Sequence, residues 1–159
     1  MKQTTTNLLF ESFALAVALF AGLARADEDT QAMPQHPAIV AADWSKVTTI
    51  VIELDDNNYE PSELTLKRGT PYKLVLKNIG KTAHDMVSGS LFDKDVTALR
   101  MVNTLVGRVT AENIRSVYIR PKQEAEIWIV PLKAGLYGFF CSITGHREAG
   151  MEGGIRISD

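Results

Sequence analysis

Three residues near the C-terminus have side chains that bind soft metal ions and lie close together in sequence. They are Cys141, His146 and Met151, and four residues separate each from the next. Cys141 is the single cysteine of the chain, and His146 is one of its three histidines. A thiolate, an imidazole and a thioether together favour copper among the common metals. Their spacing in a glycine-rich segment predicts a loop that closes around one copper ion.

His84 is the candidate for a further ligand, although it lies far upstream of this loop. Two neutral imidazoles and a thiolate can occupy a trigonal plane around copper, with a weakly bound methionine sulfur on the axis. The metal lowers the pKa of a bound thiol enough to keep it deprotonated. Neighbouring strands of a β-sandwich can bring His84 to the C-terminal loop, so the scaffold has to be found in the rest of the chain.

Three other chemistries use the same residue types. A cysteine nucleophile could pair with His146 as its base, but neither a third orienting group nor an oxyanion-binding segment is apparent beside them. Structural zinc sites use repeated cysteines or cysteine–histidine pairs, whereas this chain has one cysteine. Oxidase or nitrite-reductase chemistry needs more copper ions on more histidines, and only His36 remains. Cys141 taken alone could be an ordinary buried thiol, but this does not explain its regular spacing with His146 and Met151.

Short strands with alternating apolar residues account for most of the chain after Val47. Ile50, Ile52 and Leu54 fall on one face of the first strand, as a half-buried strand requires. Seven or eight such strands, separated by Gly, Pro and Asn turns, predict an all-β protein with a sandwich architecture. From Asp93 to Val106 the apolar residues follow a helical spacing, which predicts a short helical insertion between strands.

The N-terminal segment has the composition of an export signal. Lys2 precedes a short apolar run from Ser12 to Leu23, and Ala24-Arg25-Ala26 fits the small-residue rule for cleavage. We therefore expect residues 1–26 to be a signal peptide for export to the periplasm. We expect residues 27–46 to form a flexible arm and residues 47–159 to form the folded domain. No other stretch is apolar enough to cross a membrane.

Composition restricts the partners of the exported protein. A formal net charge of −2 gives no positive surface for nucleic acid. A lone cysteine cannot form an internal disulfide bond, and an unpaired thiol in an oxidising compartment must be buried or bound to something. We expect a monomer that is not transmembrane and that uses its cysteine as a metal ligand.

The segment YGFFCSITGHREAGMEGGIRI resembles the C-terminal copper loop of the cupredoxins, the small blue copper proteins. Its Cys-x4-His-x4-Met spacing is similar to that of the rusticyanin-like and auracyanin-like members. The motif Asn78-x-Gly-x3-His84 likewise resembles the family's upstream histidine motif. The resemblance covers the chain from Val47 to Ser158, and its strongest signals lie in these two ligand segments.

The resemblance implies a Greek-key sandwich of two sheets that holds one type 1 copper ion, which alternates between Cu(II) and Cu(I). The implied ligands are His84, Cys141, His146 and Met151. Asp85 departs from the family pattern, because many members have Asn or Ser at that position. The family's residue there helps to tie the two ligand segments together. A carboxylate so near the metal favours Cu(II) and should lower the reduction potential.

Two functions fit a protein of this kind, and neither is enzymatic. The first is a periplasmic one-electron carrier that exchanges electrons through His146 with redox proteins such as a cytochrome or an oxidase. The second is a copper-binding protein for copper tolerance or homeostasis, with copper-handling proteins as partners. Met33, His36 and Met86 hint at the second function, but an arm with so few methionines and histidines does not separate the two.

Overall fold

The computed structural model describes residues 35–105, 107–109 and 114–159. The signal peptide predicted for residues 1–26 lies outside this part of the chain, as do residues 27–34 of the predicted arm. In the described residues, no helix has the length and apolar character needed to cross a membrane.

Eleven strands in the described residues form two mixed sheets. The strands are β1 (Thr48–Asp55), β2 (Asn58–Glu60), β3 (Glu63–Lys67), β4 (Tyr72–Asn78), β5 (His84–Val87), β6 (Thr97–Thr104), β7 (Gly107–Val109), β8 (Ser116–Ile119), β9 (Glu124–Pro131), β10 (Gly135–Phe140) and β11 (Glu152–Ser158). One sheet has the order β2-β1-β4-β9-β6-β7 and the other β3-β11-β10-β5-β8. Strands β1 and β4 pair in parallel, as do β3 and β11. The predicted all-β sandwich is confirmed, with more strands than predicted because several are only three or four residues long.

Alternating side chains from the two sheets form the core between them. Ile52 and Leu54 of β1 and Leu76 of β4 are fully buried, as the sequence alternation predicts. Tyr59 of β2 meets Phe139 of β10 edge to face, with ring centroids 5.0 Å apart. Burying an aliphatic or aromatic side chain of this size stabilises the fold by about 1.5 to 3 kcal/mol. The core therefore holds the two sheets in a fixed relation.

The prediction of a helix from Asp93 to Val106 is wrong for residues 93–105, which the structure describes. The segment begins with turns and continues as strand β6, which pairs with β9. A β-bulge interrupts this pairing between Leu99 and Met101, so one extra residue shifts the inward face of the strand. Leu99 and Val102 therefore both point into the core, three residues apart, and reproduce the spacing of a helix. The only α-helix in the described residues is short and lies elsewhere.

That helix, α1 (Pro37–Ala41), belongs to the segment predicted as a flexible arm. Ile39 is 2% exposed and packs against Ala98 and Val130, in a small cluster separate from the main core. The indole nitrogen of Trp44 donates to the Ile39 carbonyl over 3.0 Å, and Trp44 lies in a 3₁₀ helix that precedes β1. Within the segment predicted as an arm, apolar burial and hydrogen bonds thus hold residues 37–46 against β6 and β9.

Candidate metal centre

Strands β5 and β10 carry two of the candidate ligands to adjacent positions. His84 is the first residue of β5, and Cys141 directly follows β10. The two strands are hydrogen-bonded neighbours and pair at Phe140 and Val87. The sheet therefore joins His84 to the C-terminal loop, as the sequence predicted.

The loop between β10 and β11 is closed by its own backbone hydrogen bonds. The amide of Cys141 donates to the carbonyl of Met151 over 3.0 Å, and the amide of Met151 donates to the carbonyl of His146 over 2.9 Å. Gly145 and Gly150 have φ values of 84° and 101°, a region that side chains disfavour. The glycines predicted to shape this loop thus permit its sharp turns, and the three candidate ligands lie on one compact loop.

The side chains of His84, Cys141 and His146 converge. Their ligand atoms all lie within 4.8 Å of one another. The two Nδ1 atoms of the histidines are 3.2 Å apart, and Nδ1 of His146 is 3.5 Å from Sγ of Cys141. His84 and Cys141 have no exposed surface, whereas His146 is partly exposed. Met151 is fully buried at the end of the same loop.

This donor set fits a trigonal copper ion. Metal–nitrogen bonds of about 2.0 Å at a trigonal angle separate two ligand nitrogens by about 3.5 Å, close to the separation of the two Nδ1 atoms here. Two imidazoles and one thiolate are also the equatorial ligands of electron-transfer copper sites. His84, Cys141 and His146 therefore have the chemistry and the approximate spacing that copper requires.

The protein environment sets the protonation of these donors in the absence of metal. Burial raises the pKa of the Cys141 thiol, while hydrogen bonds from the amides of Asp85 and Ile143 oppose that effect. Burial, followed by the nearby His146, lowers the pKa of His84 and keeps its imidazole neutral. A neutral imidazole is ready to bind a metal, whereas the thiol must release its proton when the metal enters.

Asp85 ties the two ligand segments together, as the resemblance implied. One carboxylate oxygen accepts from the amide of Ser142 over 2.7 Å, and the other accepts from the Ser142 hydroxyl over 2.6 Å. The buried hydroxyl of Tyr59 donates to the backbone carbonyl of Asp85. Because Asp85 follows His84 and Ser142 follows Cys141, these bonds fix the two ligands relative to each other.

Asn78 explains the upstream part of the histidine motif. Its amide group donates to the carbonyl of Thr82 over 2.9 Å and to the carbonyl of Ile119 over 3.0 Å. Its side-chain oxygen accepts from the amide of Gly80 over 2.9 Å. Asn78 thus uses both ends of its side chain to shape the loop that leads from β4 to His84.

Sequence reasoning missed the supporting roles of Asp56, Tyr59 and Thr82. Asp56 belongs to a run of Asp and Asn residues that indicates only a turn, and Tyr59 was one of many apolar residues. Tyr59 contacts Asp85 only because the two sheets pack together, and Asp56 contacts Thr82 because β1 pairs with β4. The motif Asn78-x-Gly-x3-His84 was the one sequence signal for any of these residues, because Thr82 lies within it.

Comparison with known proteins places the chain in a family. The model described as Cupredoxin-like domain matches residues 12–151. The copper-resistant cuproprotein CopI of Rubrivivax gelatinosus is 26% identical over 163 residues, which cover 95% of this chain and 98% of that protein. CopI of Pseudomonas aeruginosa is 25% identical over 136 residues, which cover 69% of this chain and 75% of that protein.

A solved structure supports the same fold. The reduced auracyanin of Roseiflexus castenholzii aligns with a TM-score of 0.51 and 18% identity, covering 70% of this chain and 98% of the auracyanin chain. At that identity the likeness concerns the fold alone, and it agrees with the two-sheet sandwich. The family model spans well over half of the sequence, so this chain belongs to the cupredoxin-like family.

Proposed function

We propose that the protein binds one copper ion through His84, Cys141, His146 and Met151. The observation that carries this proposal is the convergence of two imidazole nitrogens and one buried sulfur within 4.8 Å of one another. Soft sulfur and imidazole donors favour copper over magnesium or calcium, and a single cysteine is a poor basis for structural zinc. Two relatives bear the name cuproprotein, which supports the choice of metal.

The chain's own residues keep the donors in place and exclude water. Bound copper would supply a one-electron couple between Cu(II) and Cu(I). Burial removes His84 and Cys141 from solvent, and the bonds from Ser142 to Asp85 hold their two segments together. A site held in this way has little freedom to rearrange when its charge changes. This rigidity suits both the storage of copper and the exchange of electrons.

We infer that the protein serves copper tolerance in the periplasm, after removal of residues 1–26. Both curated relatives described above are named copper-resistant, and one of them aligns over 95% of this chain. A buried thiolate with a thioether nearby suits Cu(I), the softer ion. In this role the protein takes up copper, and its partners are other copper-handling proteins rather than an enzymatic substrate.

A role as one-electron carrier is the second candidate, because one ligand reaches the surface. His146 is partly exposed, whereas His84, Cys141 and Met151 are fully buried. The edge of His146 therefore offers a short route for an electron from a docked cytochrome or oxidase. Arg147 and Glu148 directly follow His146 and are exposed, so the surface near this ligand has a polar character.

The visible spectrum of the copper-loaded protein tests the proposed ligands. Thiolate bound to Cu(II) should give intense absorption in the blue-to-green range, and Cys141→Ala should abolish it. His36→Ala is the matched control, because His36 caps helix α1 and is not a proposed ligand. Fully loaded wild-type protein without this absorption would refute the type 1 site.

Growth on copper separates the two roles. If the protein serves tolerance, deletion should make cells sensitive to copper while respiration stays intact, and Cys141→Ala should fail to restore growth. If it is an electron carrier, deletion should impair electron flow without copper stress, and the purified protein should exchange electrons rapidly with a cytochrome. Normal copper resistance in the deletion strain would contradict the tolerance role.

A further inference from the structure

The imidazole of His84 makes polar contacts on both of its ring nitrogens. Nδ1 lies 3.2 Å from Nδ1 of His146, on the side of the candidate metal centre. Nε2 lies 3.4 Å from the hydroxyl of Thr82 and 3.6 Å from Oδ1 of Asp56. His84 is fully buried, whereas the side chain of Asp56 is 40% exposed. Thr82 and Asp56 therefore connect a buried ring nitrogen to the protein surface.

Asp56 is held firmly in this position. Its Oδ1 accepts from the amide of Lys81 over 3.0 Å, from the amide of Thr82 over 3.4 Å and from the hydroxyl of Thr82 over 3.2 Å. A Cβ on Gly80 would lie 2.7 Å from Oδ1 of Asp56 and 2.9 Å from Nε2 of His84. The glycine thus leaves the space in which the carboxylate and the imidazole approach each other.

The chemistry of these groups selects one tautomer of His84. A neutral imidazole carries its proton on one nitrogen and has a lone pair on the other. An ionised carboxylate only accepts hydrogen bonds, so the Thr82 hydroxyl donates to Asp56 and its oxygen remains free to accept. The acceptors beside Nε2 favour a proton on that nitrogen. The lone pair of Nδ1 then faces His146 and Cys141.

We propose that Asp56 and Thr82 are positioning residues that keep the proton of His84 on Nε2 and leave Nδ1 available to copper. This inference rests on the proposed ligation of copper by His84. Polar partners on the second ring nitrogen orient a ligating imidazole, and their loss commonly weakens metal affinity by about 10- to 100-fold. The turn between β1 and β2 thereby becomes part of the metal centre, although it supplies no ligand.

The test combines nitrogen NMR of the metal-free protein with copper affinity. In the wild-type protein, the long-range couplings between the ring nitrogens and ring protons of His84 should show that the proton is on Nε2. Asp56→Ala and Thr82→Val should yield a mixture of tautomers and an affinity for Cu(I) that is about 10- to 100-fold weaker in competition with a chelator. Thr82→Ser keeps the hydroxyl and should restore both properties. Glu60→Gln removes an exposed charge from strand β2 of the same hairpin and should leave both unchanged.

Two results would overturn this inference. One is a proton on Nδ1 in the wild-type protein. The other is a folded Thr82→Val or Asp56→Ala variant with wild-type copper affinity, whatever its tautomer. If His84 is not a copper ligand at all, His84→Ala should bind copper as tightly as the wild type, which is a different result. The NMR measurement needs no metal and so distinguishes the two failures.

Discussion

Asp85 places a negative charge beside the sulfur while it links the two ligand segments. Its carboxylate accepts hydrogen bonds from the amide and from the hydroxyl of Ser142. After the dominant effect of burial, which raises the pKa of Cys141, the side chain of Asp85 raises this pKa further. The same charge that disfavours a free thiolate should stabilise the more positive state of a bound copper ion. Asp85 therefore acts on geometry and on electrostatics together.

Replacement of this charge should alter the reduction potential. Asp85→Asn keeps one oxygen that can accept from Ser142 but removes the negative charge, so Cu(II) loses stabilisation relative to Cu(I). A change of about 1 kcal/mol corresponds to about 40 mV for one electron, and we expect the potential to rise by that order. Voltammetry of the loaded protein measures it. Asp95→Asn, an exposed change elsewhere, should leave the potential alone, and an equal shift in that control would contradict the local explanation.

Met151 can be tested separately from the three converging candidate ligands. Leu has nearly the volume of Met, so Met151→Leu should keep the core packed at a cost below about 1.5 kcal/mol. If the thioether is a weak axial ligand, the variant should still bind copper and absorb visible light, with a changed potential and band position. Met86→Leu is the matched control, because Met86 is equally buried. Identical spectra and potentials for Met151→Leu and the wild type would exclude the thioether as a ligand.

The convergence of His84, Cys141 and His146 was predictable from sequence, whereas the residues that support them were not. Cys141, His146 and Met151 lie on one loop, so residue type and spacing together carry the signal. Tyr59 reaches Asp85 only because the two sheets pack face to face, and Asp56 reaches the loop before His84 because β1 pairs in parallel with β4. No local pattern distinguishes them from an ordinary turn residue and an ordinary core aromatic. Their contacts follow from tertiary structure.

The segment of helix α1 should contribute to stability but not to the metal centre. Ile39→Ala removes a buried side chain and should lower the free energy of unfolding by about 2 to 3 kcal/mol. Val40 is 73% exposed, so Val40→Ala should change stability by less than about 0.5 kcal/mol. Urea unfolding of the metal-free variants measures both values. Equal stabilities for the two variants would show that this segment does not pack as described.

Strand β9 carries a carboxylate that links stability to pH. Burial raises the pKa of Glu126, but hydrogen bonds from Asn103, Trp128 and Lys73 outweigh it and leave the pKa below its usual range. The unfolded chain therefore binds a proton at higher pH than the folded protein does. The resulting stability is present above the unfolded pKa of about 4.3 and is lost as pH falls through the lower folded pKa.

Glu126→Gln should remove this dependence on pH. We expect the variant to be less stable than the wild type by about 1 kcal/mol at pH 7, with the difference shrinking below about pH 4. Denaturant unfolding at several pH values measures the difference. Glu124→Gln provides the control, because Glu124 is exposed and should show little effect at either pH. A constant difference for Glu126→Gln across this range would contradict the assignment.

Strand β6 shows why periodicity alone misassigned one element. A bulge inserts one residue between Leu99 and Met101, and the inward positions change from a spacing of two to a spacing of three. That spacing is typical of a helix over a short segment. By contrast, β1 and β4 have no such irregularity in their pairing, and their alternation predicted both strands. Pairing with β9, which the sequence does not show, decides the structure of this segment.

The two sheets make different contributions to the candidate metal centre. The five-stranded sheet contains β5 and β10, and the loop that follows β10 supplies the other candidate ligands. The six-stranded sheet contributes the hairpin of β1 and β2, with Tyr59 bonded to Asp85 and Asp56 bonded to Thr82. The candidate ligand segments are therefore held by contacts from both sheets. Metal affinity and global stability should be coupled.

Copper should consequently stabilise the whole sandwich against unfolding. A ligand that binds only the folded state at about a thousandfold excess over its dissociation constant adds about 4 kcal/mol. For a domain of this size we expect the melting temperature to rise on the order of 10 to 20 °C. Calorimetry with and without Cu(I) measures the shift.

The ligand variants distinguish a specific effect from a general one. Cys141→Ala and His84→Ala should lose most of the copper-dependent rise, whereas His36→Ala should retain it. An unfolded chain also exposes sulfur and imidazole, and any copper bound there would reduce the rise. A rise that persists undiminished in Cys141→Ala would mean that copper stabilises the fold from another place. A rise in melting temperature that is lost in both Cys141→Ala and His84→Ala would show that copper stabilises the sandwich through the candidate metal centre.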